Sequence, residues 1–275
     1  MDWTDVLFLL ALLLYAVASV ALLVGCIGRS GKAKGIAQGF SLASFGVHTL
    51  LLAAVAYTEW ELIGRSLYLL PLSWAFVGIG LIMWLWQKTT VQLLFIPLVA
   101  FILLMVALLL DARGVAVPAA MTGPVFALHL VGIFIGLGLM SVAAGAAVFF
   151  LWQEKKLKAK TRLSSLRGDL PSIAALDRIN GLVTLAGFPC YTLGVMCGFA
   201  WAGLAWGSMF SGDPKELVSL AVWALYALLF HQRQALGWQG RKPALMALGI
   251  FAASLFSLLV VNFFLPTRHA FQFTL

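Results

Sequence analysis

Runs of about twenty apolar residues recur along nearly the whole chain, and they leave it few folds to choose from. A helix of that length crosses a hydrocarbon core of about 30 Å at 1.5 Å per residue. Eight such runs can be marked, at 6–27, 37–57, 67–86, 91–110, 125–152, 181–206, 217–231 and 244–265. The seventh is the shortest. Composition agrees: 63% of the 275 residues are hydrophobic and 10% charged, against about 25% charged in soluble domains. The chain has too little polar surface to cover a water-facing globule. An all-α, polytopic membrane bundle is expected, forming one domain over 1–275. No basic stretch precedes the first run, so it is expected to remain as an anchor.

The net charge of +8 does not point to nucleic acid, because the basic residues sit in the connections between apolar runs. There they set topology and meet membrane lipid headgroups. Alternate connections hold Arg29, Lys32 and Lys34; Lys88; the series from Lys155 to Arg178; and Arg233, Arg241 and Lys242, which is 14 of 18 basic residues. The other side holds Arg65, Arg113, Lys215 and Arg268. The richer side faces the cytoplasm by the positive-inside rule, which places both termini outside. A bacterial inner membrane is the expected location.

The longest connection, 153–180, is therefore cytoplasmic. Its start continues the fifth helix out of the bilayer. Its later part, 170–177, is mildly amphipathic and is expected to lie as a helix at the lipid interface. Glycines at helix-packing spacing (Gly132 and Gly136, Gly194 and Gly198, Gly203 and Gly207) report close helix contacts. Cys26, Cys190 and Cys197 form no paired motif and read as structural thiols. No nucleophile stands with a base, and there are no paired carboxylates and no phosphate loop, so catalysis by this chain alone is not expected.

Chemistry rests on four histidines, His48, His129, His231 and His269. An ionisable group inside a membrane is costly and points to function by default, although a lone one often bonds a neighbouring helix. His129, near the outer end of the fifth run, and His269, just past the eighth, share the outer level. His48 and His231 are placed toward the inner half, at depths that match less closely. Paired imidazoles in an apolar bundle suit haem, held non-covalently as b-type, whose iron takes two axial nitrogens. Zinc suits them less, since it needs three or four ligands close together.

The outer connection after the sixth run reads from Trp201 through Trp206 and Phe210 to Asp213-Pro214-Lys215-Glu216. Asp213 before Pro214 is a helix N-cap. The aromatics form either an interfacial belt or a flat shelf for a porphyrin face.

Trp206-Gly207, Asp213-Pro214-Lys215-Glu216 and Tyr226-Ala227-Leu228-Leu229-Phe230-His231-Gln232-Arg233 resemble, in register, the tryptophan-rich WWD signature of the cytochrome c assembly proteins (CcsA- and CcmC-like) and the span that follows it. Gly237 to Arg241 and Asn262 to Phe271 are similar to that family's final span. The resemblance is strongest over 125–271. Met209, Phe210 and Gly212 stand where the signature has Tyr, Trp and Trp, so the aromatic shelf is thinner.

The resemblance implies a haem-handling role in c-type cytochrome biogenesis. His129 and His269 would be outward haem ligands and His231 a ligand within the membrane. Trp201, Trp206 and Phe210 would back the outer site, and Lys215 would pair a propionate. His48 is similar to a histidine of the HemX-like branch, which implies an alternative as a regulator of tetrapyrrole synthesis. The implied partners are haem, a second cytochrome c assembly membrane protein and apocytochrome c, as part of a haem lyase system.

Overall fold

The computed structural model describes residues 3–27, 31–58, 69–87, 91–109, 123–159, 171–261, 264–265 and 267. Among these the chain forms eight α-helices and no strand. They are α1 (Trp3–Ile27), α2 (Gly31–Thr58), α3 (Leu69–Gln87), α4 (Val91–Leu109), α5 (Pro124–Lys158), α6 (Ile173–Trp206), α7 (Pro214–Gln234) and α8 (Arg241–Phe256). A π-helical turn, Ser257–Val261, follows α8 directly.

Over its described residues each expected run falls on one helix, the eighth continuing past α8 through the π-helical turn. Six helices are long and apolar enough, by length and composition, to cross a membrane. Of the other two, α4 is apolar over Ile96–Leu109. The 21-residue α7 is long enough but polar at both ends, with Lys215 and Glu216 at one and His231 to Gln234 at the other. The chain is an all-helical, multi-pass membrane protein. Several of its intramembrane hydroxyls follow the rule that polar groups in lipid find an internal partner. Ser19, Ser41, Ser44, Thr49, Ser73 and Ser254 each donate to a backbone carbonyl three or four residues earlier.

α5 has 35 residues and α6 has 34, which makes each about 50 Å long at 1.5 Å per residue. As expected, α5 carries on through Lys155, Lys156 and Lys158. The expected interfacial helix at 170–177 is not separate. Ser172 caps α6, its hydroxyl accepting from the Ala175 amide at 3.2 Å, and the helix runs unbroken from Ile173 into the sixth span. Nothing between Asp177 and Gly181 breaks it, and Asp177 and Asn180 bond within the protein. Leu170 itself lies outside the described residues. At the far end of α6, Gly207 takes φ 73°, and its amide bonds the Gly203 carbonyl at 3.1 Å. This is the left-handed helix stop that glycine accepts without strain.

The chain forms two compact units. The first contains α1–α4. Its core includes Tyr15, Leu22, Leu51, Phe76, Leu103 and Leu104, all fully buried. Phe45 stacks on Trp74 at 5.4 Å, and the Trp74 indole donates to Thr49 at 2.9 Å, joining α2 to α3. The second contains α5 up to Glu154 and α6–α8. Here α5 and α6 approach until their backbones touch: a methyl on Gly132 would lie 2.7 Å from Gly194, and one on Gly136 would lie 2.9 Å from the Tyr191 backbone. Gly132, Gly136 and Gly194 pack as the spacing suggests; Gly203 and Gly207 do not, Gly203 facing Met209 of the following loop and Gly207 ending the helix with nothing within 4 Å.

Candidate functional site

His129 sits in the second turn of α5, at the end that the basic-residue count assigns to the outside. Its Nδ1 lies 2.8 Å from the Gly194 carbonyl on α6. A carbonyl only accepts, so Nδ1 carries the proton and donates. In the neutral ring this leaves the Nε2 lone pair for a ligand, the arrangement found in metal-binding histidines. The imidazole lies nearly parallel to the Trp201 indole (7° between planes, centroids 6.4 Å apart). Trp201 is buried and also meets Phe126 at 4.9 Å and Trp206 at 4.8 Å. Gly198 makes the seat, since a methyl there would stand 2.7 Å from Nδ1.

The connection to α7 folds onto the same end of this unit. Asp213 caps α7, Oδ1 accepting from the Lys215 amide at 2.8 Å. The Glu216 carboxylate takes the Ser211 amide at 2.8 Å and its hydroxyl at 3.0 Å, which braces the loop beside Phe210. Phe210 is half exposed, with Phe199 at 6.3 Å. Lys215 lies within electrostatic reach of His129. Burial holds the Lys215 ammonium down to about 8, and the Asp213 carboxylate opposes that fall. Asp213 Oδ1 also accepts from the Thr267 hydroxyl at 2.6 Å, and both residues are buried. His269 lies outside the described residues, two positions beyond Thr267.

At the basic end of the same unit, His231 is exposed in the last turn of α7. Two residues on, the Arg233 guanidinium bonds Asp177 at 3.0 Å and Asn180 at 2.5 Å, both on α6, and reaches the Trp238 carbonyl at 3.4 Å. Asp177 also takes the Gly240 amide at 3.0 Å, and Asn180 donates to the Ala143 carbonyl of α5 at 3.0 Å. One partly buried ion pair, together with Asn180, thus fastens α5, α6, α7 and the turn into α8.

His48 belongs to the first unit and is fully buried on α2. Its Nδ1 lies 3.2 Å from the Tyr15 hydroxyl of α1. The Leu70 backbone is close by, but Nε2 has no partner of hydrogen-bond geometry. Among the described residues, no three His, Cys, Asp or Glu side chains come together to hold a metal ion.

The structure therefore gathers His129, Trp201, Trp206, Asp213 and Lys215 at one end of the second unit, and places His231 at the other. It adds Phe126, Gly194, Gly198, Glu216 and Thr267, which the sequence reading did not assign to the site. Gly194 and Gly198 were visible as a packing stripe. Thr267 carried no signal beyond standing near His269.

The sequence profile of the family described as Cytochrome C assembly protein matches residues 3–269. The cytochrome c biogenesis protein CcsA of Microcystis aeruginosa is 39% identical over 112 residues, which is 40% of this chain and 34% of that protein. The protein of the same name from Trichodesmium erythraeum is 42% identical over 96 residues, 35% and 27% of the two chains. That from Marchantia polymorpha is 45% identical over 80 residues, 29% and 25%. The chain matches these curated relatives over about a third of their length or less.

Proposed function

Because the chain belongs to the cytochrome c assembly protein family, we propose that it handles haem for c-type cytochrome biogenesis in a bacterial inner membrane, presenting it at the outer face between His129 and His269. The family match crosses both units, which supports reading them as one functional domain. The observation that carries the proposal is the His129 seat. An imidazole with Nδ1 fixed by a backbone carbonyl and a ring held along an indole is oriented before any ligand arrives. Haem, when bound, supplies the vinyl groups and iron chemistry of cytochrome maturation; the protein binds, orients and shields. Trp206 and Phe210 would flank the macrocycle. His231 is assigned to haem contact at the basic end of the second unit. His48, in the first unit, is assigned separately as a ligand, its Nδ1 held by the Tyr15 hydroxyl. Apocytochrome c and a second assembly protein are the proposed partners, the haem being non-covalent until transfer.

The test is the absorption spectrum of the purified protein, oxidised and reduced, with and without added hemin. A bis-histidine Soret band with sharp α and β bands is expected, as is loss of c-type cytochromes on deleting the gene. A protein that stays colourless in hemin ends the proposal.

The Lys215 charge gives a pH signature. A lysine is cationic below its pKa, so this ammonium is intact at pH 6.5 and fades as pH rises through about 8. Hemin titrations between pH 6.5 and 9.5 are expected to show weaker uptake on the alkaline side, as pairing with a propionate is lost. Lys215→Gln should flatten that limb. An unchanged limb in the variant would remove Lys215 from the site.

A further inference from the structure

Thr192 of α6 bonds its own helix in the usual way, donating to the Phe188 carbonyl at 2.9 Å. Thr184, earlier on the same helix, does not. It is 1% exposed, and its hydroxyl has no partner of hydrogen-bond geometry among the described residues. The hydroxyl of Tyr226 on α7, also a residue 1% exposed, has none either. A methyl on Gly187 would overlap that phenol oxygen and stand 3.1 Å from Leu139 of α5, so Gly187 is the notch that admits it. Thr184 precedes Gly187 by three residues, which puts both on one face of α6. The helices run antiparallel here: Trp223 donates to Thr192 at 3.1 Å, Tyr226 reaches Gly187, and Arg233 reaches Asn180. Thr184 therefore falls between the Tyr226 notch and the Arg233 knot. At the knot two more buried atoms lack a partner among the described residues, Gln232 Oε1 and Arg233 Nε.

We propose that a file of internal waters runs between α6 and α7, from the Arg233 end to the Tyr226 hydroxyl, with Thr184 as its middle station. A buried polar group without a partner is costly, and ordered waters with about two to four bonds are what normally serve such groups. The spacing fits. Along α6, Asn180 to Thr184 is about 6 Å and Thr184 to Gly187 about 4.5 Å. One bridging water spans two hydrogen bonds of about 2.8 Å each, which matches either step. Both hydroxyls can donate and accept, so each can take a water on either side. The file would bring solvent from the basic end to a phenol in the middle of the helix pair, where the Tyr226 proton exchanges with the medium. It stands apart from the haem reading and does not need hemin to be bound.

Hydroxyl-radical footprinting of the full chain in lipid nanodiscs tests this, with the radicals made from water by X-rays. Such radicals mark side chains that touch ordered internal water, even where bulk solvent does not reach. Tyr226 is expected to be marked despite its burial. Thr184→Val should lose that mark, and Thr184→Ser, which restores a hydroxyl, should keep it. Thermal midpoints give an independent readout with a sign. In a dry interior, exchanging a partnerless hydroxyl for a methyl of the same shape raises the midpoint. With water bound there, the water loses a partner and the midpoint of Thr184→Val falls. Tyr226→Phe should fall for the same reason, and the double variant by less than the sum of the two, because both lose the same water. An unmarked Tyr226 in the wild-type protein overturns the file, even if the midpoints fall, since the two hydroxyls would then bond directly. Midpoints that rise in both single variants overturn it as well, and so does a Tyr226 mark that Thr184→Val leaves unchanged.

Discussion

Purified His129→Ala protein is expected to lose the outer bis-histidine component of the hemin spectrum while keeping its helical content. The reason is geometric. The alanine removes the Nε2 lone pair that the Gly194 carbonyl keeps available by holding the proton on Nδ1. It also opens the slot beside Phe126 and Trp201, whose rings meet each other at 4.9 Å. Changing an outer partner of a metal-binding histidine typically costs about 10- to 100-fold in affinity, and losing the histidine itself should cost more. Added imidazole should restore part of the band, since the slot it would fill is the one vacated. Gly198→Ala is expected to reproduce the loss with His129 still present. Alanine favours a helix over glycine by up to about 1 kcal/mol, so folding is not the obstacle, but its methyl would stand 2.7 Å from Nδ1 and must push the ring off its carbonyl. Gly35→Ala, where nothing lies within 4 Å, is the control. A Gly198→Ala protein with wild-type uptake would show that the seat does not matter.

The second large effect is on stability. Asp177→Ala should lower the thermal midpoint in detergent more than any single change in the outer loop. The side chains of Arg233 and Asp177 are 8% and 16% exposed. Removing one partner of a buried pair costs about 3–5 kcal/mol, because the other is left buried and uncompensated. Asn180 remains on the guanidinium, which favours the lower end of that range, but the Gly240 amide also loses its acceptor. Arg233→Met with Asp177→Leu, which replaces the pair by apolar volume, is expected to recover much of the loss. A midpoint unchanged in Asp177→Ala would mean that the knot adds nothing to folding.

Helix number and order were legible because the apolar runs match a bilayer in length. Asp213-Pro214 was legible as a cap because capping is local. What was not legible depends on how helices turn against one another. Gly194 and Gly198 read correctly as a contact stripe, yet the ring that Gly198 admits depends on the rotation of α5 about its axis, which neither helix encodes alone. The stretch 170–177 looked like a surface helix because it is mildly amphipathic and nothing nearby in the chain pairs its polar residues. The partner of Asp177 is Arg233, 56 residues away. Asp213 was fully explained by its cap, so its second bond, to Thr267, had nothing left to signal it.

The length of α5 and α6 also makes the surrounding lipid a variable. Two helices of about 50 Å in a hydrocarbon layer of about 30 Å must stand well clear of it. The Arg233–Asp177 pair lies four residues into α6, at its basic end. Longer acyl chains would thicken the layer and draw the pair toward hydrocarbon, where an ion pair is hardest to sustain. Acyl-chain length in reconstituted bilayers should therefore set how firmly the basic end is fastened, while the His129 seat, built on backbone contacts, stays indifferent to it.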